Sequence, residues 1–383
     1  MTNKLPIPPE QLQQQSFSLQ SIIKQKIKNH GFIRFTEFMH DCLYTPQLGY
    51  YSSGLKKFGK HGDFVTAPEL SPLFSACIAQ RAQSTLPQLA QQNILEVGAG
   101  SGLMAAHILA YFEINNIALQ HYYILDVSAN LKQTQKQSIE KFAPNMLSKV
   151  IWLDDLPPNY IGFVIANELL DAMPVHLFSY LQNQLFEKCV TLDEKNNFCF
   201  QMQPVLPENA HIYLNQFKTI FSENYTSEIN LAVTPWLQKL YRNCEQCVVL
   251  LIDYGFDKQT YYHSQRTQGT LICHYQHFAH DDAFFYPGLQ DITAHVDFSF
   301  VAHAAFDLGF TIEQYTTQAD FLLTHNILAH QQPDQITQYQ QAQSLKRLLL
   351  PDQMGESFKL LAISKNYPAL LENFCMRDMR GVL

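Results

Sequence analysis

A β-type run that ends in three closely spaced glycines is the feature that most constrains the fold of this chain. ILEVGAGSG (94–102) is followed at once by LMAAHILAYFE (103–113), in which the apolar residues have helical spacing. Glycine removes the Cβ atom where a backbone must turn sharply or where a ligand approaches closely. The stretch therefore predicts a strand, a tight ligand-binding turn and a helix, in that order.

Further β-type runs continue this alternation along the chain. They are HYYILDV (121–127), KVIWLDDL (149–156), GFVIANEL (162–169) and CVVLLIDYG (247–255), with the helical NLKQTQKQSIEKF (130–142) after the first of them. Strands that alternate with helices predict an α/β fold with a parallel sheet and right-handed crossovers. FTIEQYTTQ (310–318) and SFKLLAISK (357–365) are predicted to be the last two strands.

Other stretches are predicted to be additions to this core. LFEKCVTL and FCFQMQPV predict an antiparallel excursion, and residues 257–298 predict a loop-rich segment. SIIKQKIKNHGFIRFTEFMHDCLY predicts helix with a break at Gly31, and residues 49–72 predict a long loop.

The composition excludes several classes of protein. The 383 residues are 46% hydrophobic and carry a net charge of −8, which predicts a packed globular protein without the basic surface of non-specific nucleic-acid binding. The N-terminus has no apolar signal region, and no apolar run approaches the roughly 20 residues that span a bilayer. Cys244 and Cys247 form a lone C-x-x-C, which is a poor zinc site. We therefore expect a reduced, cytoplasmic protein with no membrane span.

The residues around the glycines indicate the ligand. The dinucleotide fingerprint G-x-G-x-x-G would place glycine at position 103, where this chain has Leu103. Glu96 precedes the first glycine, and a carboxylate there would repel a pyrophosphate but suits an ammonium group. The turn thus favours a ligand with a cationic amino acid end over NAD. The predicted contacts are Glu96, Gly98, Gly100 and Gly102.

Acidic residues at the ends of the next strands extend this prediction. Asp126 lies 28 residues after Gly98, where a carboxylate can accept both ribose hydroxyls of an adenosine ligand. Asp154 and Asp155 end the third strand, where an acid could meet an adenine amino group. We predict S-adenosylmethionine as the cofactor, since it is a nucleoside that carries an amino acid, with S-adenosylhomocysteine as its product. The alternative is structural, a tight turn with strand-end acids that cap helices.

The chain resembles a known family at these residues. EVGAGSG (96–102) is similar to the E-x-G-x-G-x-G motif of class I S-adenosylmethionine-dependent methyltransferases. More closely, the chain resembles the family of the mitochondrial complex I assembly methyltransferase and its bacterial relatives, the MidA or NDUFAF7 family. Other matching segments are GFIRFTEFMHDCLYTPQLGYY (31–51), GDFVTAPELSPLF (62–74), ANELLDAMPVHLF (166–178), IDYG (252–255), GTLICHYQH (269–277), PGLQDITAHVDF (287–298), TQADFLL (317–323) and MGESFKLLAISK (354–365).

The resemblance implies a fold and an activity. The fold is a class I methyltransferase Rossmann-like sheet, parallel with an antiparallel C-terminal hairpin, with an N-terminal helical and loop cap and inserted substrate-side segments. The activity is methyl transfer to an arginine guanidinium nitrogen of a protein substrate. The chain departs from the family at Ala67, Asp126 and His107, where the family often has Ser, Glu and an acid. Asp126 can still bind a ribose.

We expect three regions along the chain. Residues 1–75 form an N-terminal helical region with a cofactor-covering loop. The methyltransferase core takes 76–318 and 355–366, with insertions at about 178–235 and 257–296, and 319–354 form a helical insertion. These additions give surface on which a homodimer could form.

The predicted catalytic residues follow the fourth strand. Glu168 and Asp171, at spacing i, i+3, could hold the positive charge on one edge of a guanidinium and leave another nitrogen electron-rich. Asn167 could hold the substrate or the cofactor. His176 is a candidate proton acceptor because the unperturbed pKa of histidine lies near neutrality. The alternative makes Asn167 or Asp171 a helix N-cap and His176 a surface residue.

The loop at 49–72 matches a family motif and is predicted to close over the cofactor, with a packing strap as the alternative. Its predicted cofactor contacts are Gly62, Asp63 and Thr66. The predicted substrate contacts are Glu69, Tyr50, His277, His295 and Asp297. No metal is expected in the His-rich segment 274–297, because it has no helical H-x-x-x-H pair.

Two other functions remain open. The first is a methyltransferase of the same fold that acts on a small-molecule or other non-arginine nucleophile. The second is a non-catalytic assembly factor, against which the intact glycine turn argues. The N/D-P-P-Y/F motif of DNA amino-methyltransferases is absent, since the chain has NELL at 167–170.

Overall fold

A computed structural model describes residues 5–53, 66–126, 129–330 and 335–383, and the chain divides into two units. The first unit comprises Met1–Phe64, Asp171–Val233 and Lys258–Asp297. The second comprises Val65–Leu170, Thr234–Asp257 and Phe298–Leu383. The three regions expected from the sequence stay a prediction.

The elements of the described residues have the following bounds. The strands are β1 (Asn93–Val97), β2 (His121–Leu125), β3 (Val150–Leu153), β4 (Tyr160–Asn167), β5 (His176–Leu181), β6 (Gln184–Leu192), β7 (Phe198–Gln203), β8 (Tyr225–Ile229), β9 (Cys244–Phe256), β10 (Ile272–Tyr275), β11 (Phe278–His280), β12 (Asp291–Thr293), β13 (Val296–Asp297), β14 (Thr311–Thr317) and β15 (Phe358–Lys365). The helices are α1 (Glu10–His30), α2 (Phe35–Tyr44), α3 (Ala67–Leu70), α4 (Pro72–Thr85), α5 (Leu103–Ile114), α6 (Ala129–Phe142), α7 (Glu208–Leu214), α8 (Val233–Asn243), α9 (Lys258–Tyr261), α10 (Phe298–Leu308), α11 (Gln318–Thr324), α12 (Gln335–Leu349) and α13 (Met354–Ser357). Short 3-10 turns cover Leu86–Gln88, Pro144–Lys149, Asn215–Phe217, Ile327–His330 and Arg380–Val382.

The main sheet lies in the second unit and has the strand order β14-β15-β9-β4-β1-β2-β3. β1 is parallel to β2 and β4, and the pairs β2–β3 and β4–β9 are also parallel. β15 is antiparallel to β9 and β14. The predicted α/β fold, a parallel sheet with an antiparallel C-terminal hairpin, is therefore confirmed. The strand order reverses beside β1, which is where doubly wound folds bind ligands.

The central strands are buried, and most of their residues are apolar. All residues of β1 are buried, and β4 is buried from Gly162 to Ala166. Phe74 of α4 and Phe112 of α5 belong to the same buried cluster as Ile94 and Phe163 of these strands. Burying an apolar side chain of this size contributes about 1.5–3 kcal/mol, so this cluster is a main source of the unit's stability.

The first unit contains two antiparallel sheets, β7-β6-β5-β8 and β11-β10-β12. Helix α1 forms because Ser16, Leu19, Ile23 and Ile27 recur at three- or four-residue spacing and are buried. It ends at Gly31, whose φ is 83° and whose N–H donates to the carbonyl O of Ile27 at 2.7 Å. The predicted break at Gly31 is confirmed.

The structure differs from the predicted elements at two places in this unit. Helix α1 begins at Glu10, before the predicted helical segment, because its glutamine-rich first turns contribute few buried residues to a periodic pattern. The segment 257–298, predicted to be loop-rich, contains β10, β11 and β12. Strands of three or four residues are too short to produce a readable alternation.

Gly162 lies in β4 where there is no room for a side chain. A Cβ atom at this position would lie 2.4 Å from the carbonyl O of Asn93 and 2.4 Å from Oη of Tyr160. We expect Gly162→Ala to lower the free energy of unfolding by about 1–3 kcal/mol, because the backbone of β1 must shift. Urea unfolding measures this change.

The matched control is Gly381→Ala, because no described atom beyond the adjoining residues lies within 4 Å of a Cβ at that position. An equal loss of stability in both variants would contradict the packing argument.

Candidate cofactor and active site

The glycine turn follows β1 and has a backbone that only glycine adopts readily. Gly98, Gly100 and Gly102 have φ angles of 76°, 53° and 75°. The N–H of Gly98 donates to the carbonyl O of Leu125, at the end of β2, at 2.8 Å. Helix α5 begins at Leu103, immediately after the turn. The predicted order of strand, tight turn and helix is therefore present.

Gln135 of α6 connects the turn to two neighbouring strands. A Cβ atom on Gly102 would lie 2.6 Å from Cα of Gln135, so only glycine permits this approach. Nε2 of Gln135 donates to the carbonyl O of Gly100 (3.2 Å) and to Oδ2 of Asp126 (2.9 Å). Its Oε1 accepts from Nε1 of Trp152 at 3.0 Å. These bonds hold Asp126, the predicted ribose ligand, in a fixed position relative to the turn.

Glu96 lies inside the sheet, at the strand end before the turn. Its side chain is buried, and its Oε2 accepts a hydrogen bond from Oη of Tyr122 at 2.6 Å. Burial raises the pKa of Glu96 to about 7; the Tyr122 hydrogen bond lowers this pKa, and the charge of Asp126 raises it further. Near neutral pH this carboxyl is only partly ionised, which weakens it as the predicted partner of an ammonium group.

Glu69 of α3 contacts the glycine turn. Oγ of Ser101 donates to Oε1 of Glu69 at 2.6 Å, and Oγ of Ser138 donates to the carbonyl O of Ser101 at 2.8 Å. The sequence predicts Glu69 as a substrate contact, whereas the structure places it against the turn that would hold the cofactor. Thr66 is the N-cap residue of α3. The predicted contacts Gly62 and Asp63 lie outside the described residues.

The turn after β4 is held by β9. Glu168 has a φ of 49°, which is uncommon for a residue other than glycine. Its N–H donates to the carbonyl O of Ile252 at 2.9 Å. The N–H of Leu170 donates to Oδ2 of the buried Asp253 at 3.0 Å. Glu168 is thereby fixed at the carboxyl end of β4.

Asn167 has an amide oxygen that no described residue satisfies. Its Nδ2 donates to Oε1 of Glu168 at 3.2 Å, whereas its buried Oδ1 has no hydrogen-bond partner in the described ranges. A buried acceptor of this kind costs about 1–3 kcal/mol, so it indicates a group that binds there. β1, β2 and β4 bring Gly98, Asp126 and Asn167 to one edge of the sheet, beside the reversal of strand order. This arrangement fits a nucleoside with an amino acid end.

Asp154 and Asp155, the predicted adenine contacts, lie at exposed positions after β3. Oδ1 of Asp155 forms an ion pair with Nζ of Lys239 at 2.5 Å. This hydrogen bond is the largest cause that lowers the pKa of Asp155. The geometry of Asp155 therefore favours a surface ion pair over a contact with adenine.

Asp171 and His176, two predicted catalytic residues, belong to the first unit. Asp171 is buried, and its carbonyl O accepts from the N–H of Ala294 at 3.0 Å. Nδ1 of His176 lies 2.7 Å from Oε1 of Glu187, and Oε2 of Glu187 accepts from NH1 of Arg34 at 2.6 Å. Because a carboxylate only accepts, Nδ1 of His176 donates this hydrogen bond. The first unit thus fixes the orientation of the His176 ring.

The predicted substrate contacts of the first unit differ in their surroundings. Tyr50 has no exposed surface and packs on the ring of Tyr51, with ring centroids 5.1 Å apart, which favours a packing role. His277 lies in the exposed turn between β10 and β11. Oδ2 of Asp297 accepts from Oη of Tyr213 at 2.6 Å, and the N–H of His295 donates to Oγ1 of Thr270 at 2.9 Å. His295 and Asp297 therefore belong to a hydrogen-bonded segment.

The described part of the chain has neither a metal-binding cluster nor a membrane-spanning helix. No group of three or more His, Cys, Asp or Glu side chains is placed there to hold a metal ion. None of its helices combines the length and the apolar character needed to cross a bilayer.

Several residues that support the site are not predicted from the sequence. Tyr122, Gln135 and Glu187 act through contacts between distant parts of the chain, which no local pattern reveals. Asp253 has the clearest signal, since it lies in IDYG at the carboxyl end of a predicted strand. Asp253 is a strand-end acid in the same sense as Asp126.

Comparison with known proteins identifies similar sequences. Residues 77–316 match a family model described as "Putative S-adenosyl-L-methionine-dependent methyltransferase". The mitochondrial protein arginine methyltransferase NDUFAF7 of Xenopus laevis is 27% identical over 380 residues, which cover 88% of this chain and 82% of that protein. The mitochondrial homolog in Caenorhabditis elegans is 27% identical over 316 residues, which cover 74% of this chain and 71% of that protein.

Two solved structures from Burkholderia thailandensis have the same fold. A protein crystallised with bound S-adenosyl-homocysteine is 36% identical to this chain with a TM-score of 0.95, over 99% of this chain and 100% of that chain. An uncharacterized protein, solved in its native form, is 36% identical with a TM-score of 0.92, also over 99% of this chain and 100% of that chain.

The burial of Glu96 makes stability depend on pH. Its pKa rises from the ordinary value of 4.5 to about 7 in the folded protein. The stability that the protonated carboxyl contributes is therefore fully present below the unfolded pKa and is lost as the pH rises through the folded pKa. We expect wild type to lose roughly 3 kcal/mol relative to Glu96→Gln between about pH 4 and pH 8.

Urea unfolding of the ligand-free proteins across this pH range measures the difference. Glu194→Gln, at an exposed position, is the control and should follow wild type. A difference between wild type and Glu96→Gln that stays constant with pH would contradict the shifted pKa.

Proposed function

We propose, because this chain belongs to the family of S-adenosyl-L-methionine-dependent methyltransferases, that its methyl acceptor is an arginine side chain of a protein. The family match, residues 77–316, covers more than half of the 383 residues. The chain is a methyltransferase that uses S-adenosyl-L-methionine, and the predictions of cofactor and reaction class are confirmed.

Two observations support arginine as the acceptor. The relatives from Xenopus laevis and Caenorhabditis elegans, which are similar over most of this chain, are named protein arginine methyltransferases. The backbone of Glu168 is held by β9 at the carboxyl end of β4, at the sheet edge that carries the glycine turn, and its carboxylate accepts from Nδ2 of Asn167. The position of Glu168 is the single observation on which the proposal rests, because a carboxylate is the natural partner of a guanidinium.

The second unit has residues suited to each part of the cofactor. S-adenosyl-L-methionine supplies an electrophilic methyl group on a sulfonium centre. Asp126, held by Gln135, would accept hydrogen bonds from the ribose hydroxyls. The glycine turn would let the ligand approach the backbone, and the unsatisfied Oδ1 of Asn167 would accept a hydrogen bond from a bound donor.

Glu168 would make the guanidinium a better nucleophile. Arginine is protonated near neutral pH, and its charge is delocalised over three nitrogens. A carboxylate that binds two N–H groups on one edge holds the positive charge there and leaves the remaining nitrogen richer in electrons. The hydrogen bonds from Glu168 N–H to Ile252 and from Leu170 N–H to Asp253 hold the backbone that carries this carboxylate, and Nδ2 of Asn167 donates to its Oε1. Such positioning contributes most of the rate enhancement in a direct displacement.

The roles of Asp171 and His176 stay predictions. Each belongs to the first unit, where Nδ1 of His176 donates to Oε1 of Glu187. The role predicted for His176 is acceptance of the proton that the guanidinium releases on methylation.

A second candidate function is methyl transfer to a small-molecule or other non-arginine nucleophile. The glycine turn, Asp126 and Asn167 serve the cofactor whatever the acceptor is, and the named arginine methyltransferases are only 27% identical to this chain. A non-catalytic assembly factor would need none of these groups.

The acceptor can be identified by transfer of a labelled methyl group. We expect purified protein and S-adenosyl-L-methionine with a tritiated methyl group to label proteins in a lysate. Acid hydrolysis should then release the label as methylarginine. Label found only in small molecules or in other amino acids would contradict the arginine proposal and support the second candidate.

Glu168→Gln separates catalysis from cofactor binding. We expect it to lower kcat by at least about 100-fold, because a neutral amide does not hold the guanidinium charge. Calorimetry should show that its affinity for S-adenosylhomocysteine changes less than about twofold, since the carboxylate is assigned to the acceptor. Glu194→Gln is the control of equal chemistry at an exposed position. Undiminished activity of Glu168→Gln would remove the proposed role.

A further inference from the structure

We infer that Glu69, rather than the motif residue Glu96, is the carboxylate that binds the ammonium group of the cofactor. The inference depends on the cofactor, which the family match establishes, and not on the proposed arginine acceptor. It therefore assigns a binding residue that would stand even if the methyl acceptor proved to be a different nucleophile.

Glu96 is unsuited to this contact because of its surroundings. It is 1% exposed, and Oη of Tyr122 donates to its Oε2 at 2.6 Å. Its Cα position pairs with Ile124 in the interior of the parallel sheet. Burial also raises its pKa to about 7, so a large fraction of this carboxyl is uncharged near neutral pH. An uncharged carboxyl provides little attraction for an ammonium group.

Glu69 differs from Glu96 in its exposure and in its hydrogen bonds. It is half-buried, and one of its oxygens, Oε1, is fixed on the glycine turn by Oγ of Ser101 at 2.6 Å. Within residues 5–53, 66–126, 129–330 and 335–383, Glu69 forms no ion pair and Oε2 accepts no hydrogen bond. A carboxyl group that is held by a neutral hydroxyl through one oxygen, with its second oxygen available, offers the acceptor that an ammonium group requires.

The glycine turn also fixes the position of the Glu69 carboxyl group through Ser101. Ser101 lies between Gly100 and Gly102, and its carbonyl O accepts from Oγ of Ser138 on α6. The turn is therefore held from α6, while α3 supplies the carboxylate from the segment before β1. On the β2 side of the same turn, Gln135 holds Asp126 for the ribose. The two carboxylates would thus bind different parts of one ligand, the amino acid end and the sugar.

The test compares two ligands that differ only in the ammonium group, S-adenosylhomocysteine and its deaminated analogue. Calorimetry gives the affinity of each for wild type and for Glu69→Gln. A hydrogen bond between charged groups predicts that Glu69→Gln weakens S-adenosylhomocysteine about tenfold or more. The affinity for the deaminated analogue should stay within about twofold.

Two further variants keep the test specific. Glu96→Gln, which resembles the protonated carboxyl, should leave the ratio of the two affinities unchanged. Glu69→Asp keeps the charge on a shorter side chain and should weaken S-adenosylhomocysteine less than Glu69→Gln does. Thermal unfolding of the ligand-free variants checks that each is folded, since Glu69 is not part of the buried cluster around β1.

Three results would overturn the inference. An equal loss of affinity for both ligands in Glu69→Gln would show that Glu69 supports the turn without binding the ammonium. A change of the affinity ratio in Glu96→Gln alone would return the contact to Glu96. Failure of wild type to bind S-adenosylhomocysteine would reject the cofactor assignment itself. If the two ligands differ in affinity as expected but no methyl group is transferred to arginine, only the proposed acceptor is rejected.

Discussion

The approach of Gln135 to the backbone of Gly102 determines how the cofactor edge of the second unit is built. The helix α6 comes so close that a single Cβ atom on Gly102 would lie 2.6 Å from Cα of Gln135. At that distance the Gln135 amide reaches the glycine turn, the acid at the end of β2 and the indole of β3. One packing distance therefore sets the relative positions of the turn and of Asp126.

Surroundings, rather than residue type, distinguish the acids at this edge. Glu96 lies in the last, turn-proximal part of β1 and Asp155 follows β3, but Glu96 is buried with a raised pKa and Asp155 is exposed with a lowered pKa. Their partners are a tyrosine hydroxyl and a lysine, respectively. A carboxylate near a strand end can reach a ligand only when it is neither buried inside the sheet nor paired on the surface. Asp126 and Glu168 are half-buried, which is the intermediate exposure that a ligand contact needs.

Local signals explain which parts of the fold and site could be predicted from the sequence. The strand, glycine turn and helix at 93–114 depend on neighbouring residues, so their pattern is readable, as are the strand-end positions of Asp126 and Glu168. The surroundings of Glu96 and Asp155 depend on Tyr122 and Lys239, which parallel pairing and helix packing bring from 26 and 84 residues away. The family resemblance predicts the reaction class, but it does not identify these long-range partners.

The backbone at Glu168 gives a physical reason to assign it a chemical role. Most residues other than glycine with positive φ in the described ranges are asparagines, the residue type that tolerates this conformation best. Glu168 adopts it although a glutamate side chain lacks the intrinsic tolerance of asparagine for this conformation, at a cost on the order of 1–3 kcal/mol. Asparagine or glycine would serve the turn at lower cost, and β9 supplies the hydrogen bonds that offset the strain. Glu168 thus places a carboxylate at a backbone position that disfavours it, which indicates that its negative charge is needed there. At the carboxyl end of β4, the simplest use of that charge is to bind a cationic substrate.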